Sequence, residues 1–132
     1  MAQERNTRQR KAILQAIEHA RRPLSAQEIL AAASADVPRL GMATVYRTVK
    51  HLVVERAVSA VAVAGESPRY EVAHGEHHHH FQCTTCRRLF DMRGCPGNLR
   101  QLAPRGFRVD AHEVTLYGRC SDCGRRGAQA HR

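Results

Sequence analysis

The spacing of apolar residues in the first half of the chain predicts helices. Residues 7–20 carry apolar side chains at helical spacing, namely Ala12, Ile13, Leu14, Ala16, Ile17 and Ala20. Ser25 followed three positions later by Glu28 is a capping box, in which each residue satisfies the other's backbone N–H. We therefore predict one amphipathic helix ending near residue 20 and a second from Ser25 to about Ala33.

A third helix and a hairpin are predicted next along the chain. Apolar residues at helical spacing predict a helix that begins at Met42. Two segments of alternating pattern, 57–64 and 69–73, then flank the turn-forming residues 65–68. Three helices followed by a two-stranded hairpin are typical of a winged helix-turn-helix.

The second half of the chain has a different pattern, with more strand than helix. Alternation predicts strands over 77–83, 88–92 and 107–116, and a short helix over 98–103. The expected fold class is α+β, with a winged-helix domain at 1–73, a hinge at 74–76 and a small α/β domain at 77–132.

Charge and hydropathy narrow the functional classes. The 132 residues carry 21 Lys and Arg against 12 Asp and Glu, for a formal net charge of +9. This excess suits a polyanion such as nucleic acid, although a basic surface is often only a solvated face. No stretch approaches the roughly 20 apolar residues of a membrane span, and the N-terminus has no signal-peptide pattern. We expect a cytoplasmic protein that does not contact a membrane.

Four of the five cysteines form two C-x-x-C pairs, Cys83 with Cys86 and Cys120 with Cys123. Zinc prefers four thiolates in tetrahedral geometry, and each pair can present two of them from one turn. In a chain without an export signal, such pairs favour metal over disulfides. We therefore predict a structural zinc site, with two separate redox-active pairs as the alternative.

Four consecutive histidines at 77–80 precede the first cysteine pair. If this segment is a strand, the two odd-numbered rings face one way and the two even-numbered rings the other. Glu71 and Asp91 could reach one face and His112 the other, so two mixed metal sites are conceivable. Imidazole and carboxylate suit iron, manganese, zinc or nickel. The alternative is a solvated polar strand.

The third helix has side chains suited to reading DNA. A recognition helix places its N-terminal residues, here from Thr44 onward, against base edges in the major groove. Arg47 could make a bidentate contact with guanine, and Tyr46 could lie against a thymine methyl. Arg8 and Arg10 would contact phosphates or the minor groove. The alternative is that Tyr46 is a core residue and Arg47 a surface charge.

Together these motifs resemble the ferric uptake regulator family of bacterial metal-sensing repressors. The resemblance rests on Gly-Met-Ala-Thr-Val-Tyr-Arg-Thr at 41–48, on Arg-Tyr-Glu at 69–71, and on the histidine run that leads into the first C-x-x-C pair. It continues with Leu-Tyr-Gly at 116–118 before the second pair, and it covers residues 5–124. It implies an N-terminal winged-helix DNA-binding domain, a C-terminal α/β dimerisation domain, and structural zinc on the four cysteines.

The resemblance also assigns roles to two further metal sites. By position, the regulatory site corresponds to Glu71, His78, His80 and Asp91. The accessory site corresponds to His77, His79 and His112, with Cys95 as a fourth candidate. In the family, regulatory metal closes the dimer so that two recognition helices fit successive major grooves of a palindromic operator. The implied protein is a homodimeric, metal-dependent repressor of metal-homeostasis genes and not an enzyme, with structural zinc and a second divalent metal (zinc, iron or manganese) as effector.

Two departures from the family pattern bear on the sensed metal. Many members supply a regulatory histidine where this chain has Pro23. Either Glu71, His74 or water completes that site here, or its coupling to the DNA-binding domain is altered. Iron-type members commonly use Asp and Glu at the accessory positions where His79 and Cys95 stand here. A site that includes Cys95 would be softer and would favour zinc, whereas Cys95 as a bystander thiol is equally open. We expect zinc slightly over iron or manganese, with a peroxide sensor also open.

Two rival classes make a different prediction about DNA. A small metal hydrolase would use the histidine cluster and an activated water, with Glu76 or Glu113 as base. A zinc-storage protein would explain the histidines and leave the first half of the chain without a role. Neither rival predicts metal-dependent retardation of a palindromic duplex.

Overall fold

The computed structural model describes residues 2–73 and 77–130. The chain divides into two compact units, Met1–Gly75 and Glu76–Arg132. The predicted hinge at 74–76, which includes His74, lies outside the described residues. Among the helices of the described ranges, none is long and apolar enough to cross a membrane.

The N-terminal unit begins with three helices, as predicted: α1 (Ala2–Ala20), α2 (Ala26–Ala33) and α3 (Met42–Val54). α1 starts at Ala2, earlier than the predicted residue 7. The prediction missed the first turns because they are polar and exposed and carry no apolar period. The capping box is present, with the Glu28 N–H donating to Ser25 Oγ at 3.1 Å and the Ser25 N–H donating to Glu28 Oε1 at 3.0 Å. This reciprocal pair sets where α2 begins.

The apolar faces of the three helices pack into one aliphatic core. Its buried members are Ala12, Ile13, Ile17, Leu24, Ala26, Ile29, Ala33, Leu40, Val45, Val49, Leu52 and Val58. Each helix contributes positions three or four residues apart, so the sequence period becomes a buried stripe.

A β-hairpin completes the winged helix. β1 (Val58–Val63) pairs antiparallel with β2 (Glu66–Val72). The turn is shorter than the predicted 65–68 and is made possible by Gly65 at φ 73°. Pro68 is accommodated in β2 beside a register irregularity, where the ladder is already interrupted. Leu24 and Tyr70 exchange backbone hydrogen bonds of 2.8 Å, which fasten the segment before α2 to β2.

The C-terminal unit is built on a three-stranded sheet. Its strands are β3 (His79–Cys83), β4 (Leu89–Met92) and β5 (Thr115–Gly118), in the order β4-β3-β5. β3 runs antiparallel to β4 and parallel to β5. Gly118 lies close to the Phe81 ring: a Cβ at this position would be 3.2 Å from Phe81 Cζ, so a larger residue would require the ring to shift slightly. α4 (Ser121–Ala130) follows β5.

Three predictions for this unit are wrong in detail. The strand predicted over 107–116 is limited to Thr115–Gly118, the segment that pairs in register with residues 80–83 of β3. His112 is therefore not on a strand. The helix predicted over 98–103 is a 3-10 helix at Leu99–Leu102, and α4 was not predicted. The α+β class and the winged helix are confirmed.

Candidate metal centres and DNA-reading helix

The structure brings the four predicted zinc ligands, Cys83, Cys86, Cys120 and Cys123, into one cluster. Their Sγ atoms all lie within 4.8 Å of one another, and those of Cys86 and Cys120 are 3.9 Å apart. Zn–S bonds of about 2.3 Å in a tetrahedron separate neighbouring sulfurs by about 3.8 Å. The donor set and its spacing therefore fit zinc.

Backbone hydrogen bonds hold Cys83 in position at the centre of the cysteine cluster. Cys83 ends β3, and the Arg87 N–H closes the following turn onto the Cys83 carbonyl at 3.0 Å. Arg87 accepts the left-handed φ of 66° that this turn requires. The N–H groups of Cys86 and Cys120 each donate to Cys83 Sγ at 3.4 Å. One sulfur is thus tied to both C-x-x-C pairs.

The same contacts separate the pKa values of the thiols. Burial raises the pKa of Cys83, but the backbone N–H groups of Cys86 and Cys120 outweigh it and lower that pKa to about 5. The hydrogen bond to Cys120, together with burial, raises the pKa of Cys123 to about 12. The backbone N–H groups therefore favour the thiolate form of Cys83, which is the form that binds metal.

The accessory group, His77, His79, Cys95 and His112, also forms a cluster within 4.8 Å. The Nε2 atoms of His77 and His112 are 3.0 Å apart. Cys95 Sγ lies 3.1 Å from His112 Nε2 and 3.5 Å from His79 Nε2. His112 reaches the group from the irregular segment before β5. Cys95 points into this group, although it is exposed.

His79 is the buried member of the accessory group, at 1% exposure. The Val114 N–H donates to its Nδ1 at 3.1 Å and fixes the orientation of the ring. Burial, and then the neighbouring histidines His77 and His112, lower the pKa of His79, which favours the neutral form that binds metal. A metal at Nε2 requires the ring proton to move to Nδ1 and the bond from Val114 to be given up.

The other face of the histidine run carries the predicted regulatory group. His80 is directly opposite Asp91 in the β3–β4 register, and its Nε2 lies 3.3 Å from Asp91 Oδ1. His78 Nε2 lies 3.7 Å from the same oxygen. These donors are nitrogen and oxygen, with no thiolate among the three. The remaining predicted ligand, Glu71, is on β2 of the N-terminal unit, where it is buried.

α3 presents the side chains predicted to read DNA. Tyr46 is 44% exposed and Arg47 is exposed, so Tyr46 is not a core residue. Arg47 Nη2 donates to Thr44 Oγ1 at 3.2 Å, which orients the guanidinium along the N-terminal turn. Arg8 is exposed on α1. Arg10 instead forms an ion pair with Glu55 at the end of α3 and lowers the pKa of that carboxyl.

A winged helix with an exposed reading face, in a chain that also carries clustered metal donors, defines a metal-responsive DNA-binding regulator. The Ferric uptake regulator family model matches residues 1–117, and the chain belongs to this family. The chain is 30% identical over 129 residues to the Ferric uptake regulation protein of Campylobacter jejuni, and the alignment covers 93% of this chain and 82% of that protein.

Two solved structures extend the comparison. A zinc-bound manganese uptake regulator has a TM-score of 0.71 at 25% identity, covering 85% of this chain and 87% of that one. FurB of M. tuberculosis, described as a zinc uptake regulator, has a TM-score of 0.51 at 28% identity, covering 90% and 95%. The protein is a metal-responsive transcriptional regulator and not an enzyme, as the sequence predicted.

Sequence reasoning missed two groups that contact the candidate ligands. Arg88 Nε donates to Cys86 Sγ at 3.2 Å, and the Val114 backbone holds His79. The position of Arg88, two residues after a C-x-x-C pair, was the available signal for the first. The hydrogen bond from the Val114 N–H to His79 forms because β5, which follows Val114, pairs with β3. Local sequence pattern does not indicate that pairing.

Proposed function

We propose that this chain is a homodimeric repressor of metal-homeostasis genes that binds a palindromic operator when a divalent metal occupies the regulatory site. The proposed regulatory ligands are Glu71, His78, His80 and Asp91. The observation that carries the proposal is the division of one histidine run between two donor groups, with His80 opposite Asp91 and the odd-numbered rings beside Cys95 and His112. A solvated polar strand would not need these convergent partners.

The regulatory ligands would favour the DNA-competent dimer by binding metal better in that state. The ring nitrogens of His78 and His80 lie near a carboxylate oxygen of Asp91, and a divalent ion bound among them would offset the negative charge of that carboxylate. A histidine ring binds metal only in its neutral form, so protons would compete with the metal for both rings. Glu71 is retained as the fourth ligand on the strength of the family resemblance.

Residues 1–73 would contact DNA and residues 77–132 would form the dimer. Arg47, Thr44 and Tyr46 would meet base edges, with Arg8 on the backbone. β5 is at the edge of its sheet and exposes Leu116 and Tyr117. An apolar edge strand of this kind is normally covered by a partner. A second copy of this chain would cover it.

Zinc is the favoured metal for both the cysteine cluster and the sensing function. A thiolate from Cys95 makes the accessory donor set softer than one of imidazole and carboxylate alone, which suits zinc. The similarity to a zinc uptake regulator is consistent with this choice. The alternative is an iron-, manganese- or peroxide-responsive regulator. This alternative is favoured by the regulatory group, whose nitrogen and oxygen donors suit iron and manganese as well as zinc. A storage protein would not need the exposed reading face of α3.

The test is metal-buffered binding to a palindromic duplex selected from a random library, with zinc, ferrous iron and manganese compared under anaerobic conditions. The double variant H78A/H80A should lose metal-stimulated binding and retain zinc on the cysteines. His19→Ala, which alters an exposed histidine of α1, serves as the matched control and should behave as wild type. Undiminished metal-dependent binding by H78A/H80A would refute the assignment of the regulatory site.

A further inference from the structure

Arg88 occupies an unusual position beside the cysteine cluster. Its Nε donates to Cys86 Sγ at 3.2 Å, and its Nη2 lies 3.9 Å from Cys120 Sγ. The same Nη2 is 3.6 Å from Asp122 Oδ2. One guanidinium therefore contacts a sulfur from each C-x-x-C pair and the carboxylate that lies between Cys120 and Cys123.

The charge at this position is matched to the cluster. Four thiolates around Zn²⁺ leave a net charge of −2, and a guanidinium in contact with two of the sulfurs offsets part of it. An arginine guanidinium is charged at any physiological pH, so this positive charge is always present.

The fold also holds the side chain in place. The Cys83 N–H donates to the Arg88 carbonyl at 3.0 Å, and the next residue, Leu89, is buried. The guanidinium lies 5.6 Å from the centre of the Phe90 ring, within the range of a cation–π contact. A flat guanidinium can donate to two acceptors in fixed directions, which a lysine ammonium on its flexible stem does less well.

We infer that Arg88 is a positioning residue of the proposed zinc centre, which links the two C-x-x-C pairs through its hydrogen bonds and thereby slows loss of the metal. The inference rests on the proposed structural zinc site. Zinc leaves only when a sulfur detaches, and Arg88 holds the sulfurs of Cys86 and Cys120 in the geometry that the metal needs. Groups that orient metal ligands in this way typically change metal affinity by about 10- to 100-fold.

The first measurement is the rate at which the zinc-loaded full-length protein transfers zinc to an excess of a chromogenic chelator. Arg88→Gln should release zinc about tenfold faster than wild type, and Arg88→Lys should be intermediate because it keeps the charge and loses the fork. Arg119→Gln is the matched control: it removes an exposed positive charge next to Cys120. It should release zinc at the wild-type rate.

The second measurement separates a direct contact with sulfur from a general loss of stability. In the cobalt-substituted protein, removal of the N–H···S bond raises the energy of the sulfur lone pairs. The sulfur-to-cobalt charge-transfer band of Arg88→Gln should therefore move to longer wavelength, and that of Arg119→Gln should not. If Arg88→Gln does not fold, Arg88→Lys decides by the same two readouts.

Zinc content keeps the two proposals distinguishable. Wild type should carry about one zinc per chain at the cysteine cluster, and Cys83→Ser should lose it. If wild type carries none there, the structural zinc site fails and this inference fails with it. If wild type carries zinc, and the Arg88 variants match it in release rate and band position, the inference about Arg88 alone is overturned.

Discussion

The two units of this protein are held together by different chemistry. The N-terminal unit buries a set of aliphatic side chains from three helices, among them Ile13, Ile17, Ile29 and Leu52. In the C-terminal unit the buried cluster is Cys83, Cys120 and Cys123, with Cys86 and Phe90 packed against it. The core of the N-terminal unit is therefore made of aliphatic side chains, and the core of the C-terminal unit is made mainly of cysteine sulfurs.

This difference indicates which unit depends on metal. A domain of roughly 60 residues is marginal even with a good core. The C-terminal unit adds only a small sheet to its cysteines, so its folding free energy would come largely from ligand–metal bonds. The aliphatic unit has no such requirement. Metal removal should therefore divide the protein along the boundary between the units.

The largest expected effect is that of Cys83→Ser, which removes the most buried thiolate of the cluster. Structural zinc in small domains contributes about 10–16 kcal/mol of apparent binding free energy at neutral pH. We expect the amides of β3 and β5 to lose protection in hydrogen-exchange mass spectrometry, while those of α1 to α3 keep it. Gln101→Ala, at an exposed position of the same unit that belongs to none of the metal-donor groups, is the control. Equal loss of protection in both units would contradict the division.

The reciprocal change is Leu52→Ala in the core of the N-terminal unit. Removing a fully buried leucine leaves a cavity and costs about 2–5 kcal/mol. Val54→Ala, at a 75% exposed position at the end of the same helix, is the control and should change stability little. Urea unfolding followed by helix circular dichroism measures both. Zinc content should stay unchanged in each variant, since neither touches a sulfur.

The sequence predicts most of the N-terminal unit because its determinants are local. The capping box of Ser25 and Glu28 set the start of α2, and the apolar period of α3 matches its buried face. The shorter turn at Gly65 was missed because Pro68 favoured a loop, whereas tertiary pairing admits it at a ladder irregularity. At Pro68, pairing between β1 and β2 therefore overrides the preference of proline for a loop.

For the C-terminal unit, the sequence indicated which side chains lie close together, but it indicated the course of the backbone less well. Residue type and spacing were enough to group the four cysteines and to divide the histidines, because metal coordination restricts which side chains can serve. The segment 107–114 alternates like a strand, but it is not part of a strand in the structure, and local pattern does not show which segments will pair. The contact of Arg88 with Cys120 joins residues far apart in sequence, which local pattern does not reveal.

A smaller effect should separate the two uses of sulfur within the C-terminal unit. Cys95 is exposed and lies among histidines, whereas the other four cysteines lie together in a cluster of sulfur donors alone. Cys95→Asp should weaken zinc binding at the accessory site by about tenfold and shift its preference toward manganese, because a hard oxygen replaces a soft sulfur. Competition titrations with a fluorescent zinc chelator measure this. An unchanged affinity would mean that Cys95 is a bystander.

The smallest effect concerns charge in the aliphatic unit. Glu28 accepts from Arg22 at 2.7 Å and lies 3.5 Å from Arg69. Burial raises the pKa of Glu28, but the hydrogen bonds from Arg22 and from the Ser25 N–H outweigh it, so the pKa is lowered below 4.5. Glu28→Gln keeps a residue suited to the capping box and removes the charge. We expect a loss of about 1 kcal/mol at neutral pH.

The sign of the pH dependence follows from that lowered pKa. A carboxyl that is more acidic in the folded state stabilises the protein above its unfolded pKa and loses this contribution as the pH falls through the folded value. The stability gap between wild type and Glu28→Gln should therefore close below pH 4.5. Glu18→Gln, at an exposed position on α1, should show no comparable gap at any pH. A gap that persists in acid would assign the effect of Glu28 to packing instead of charge.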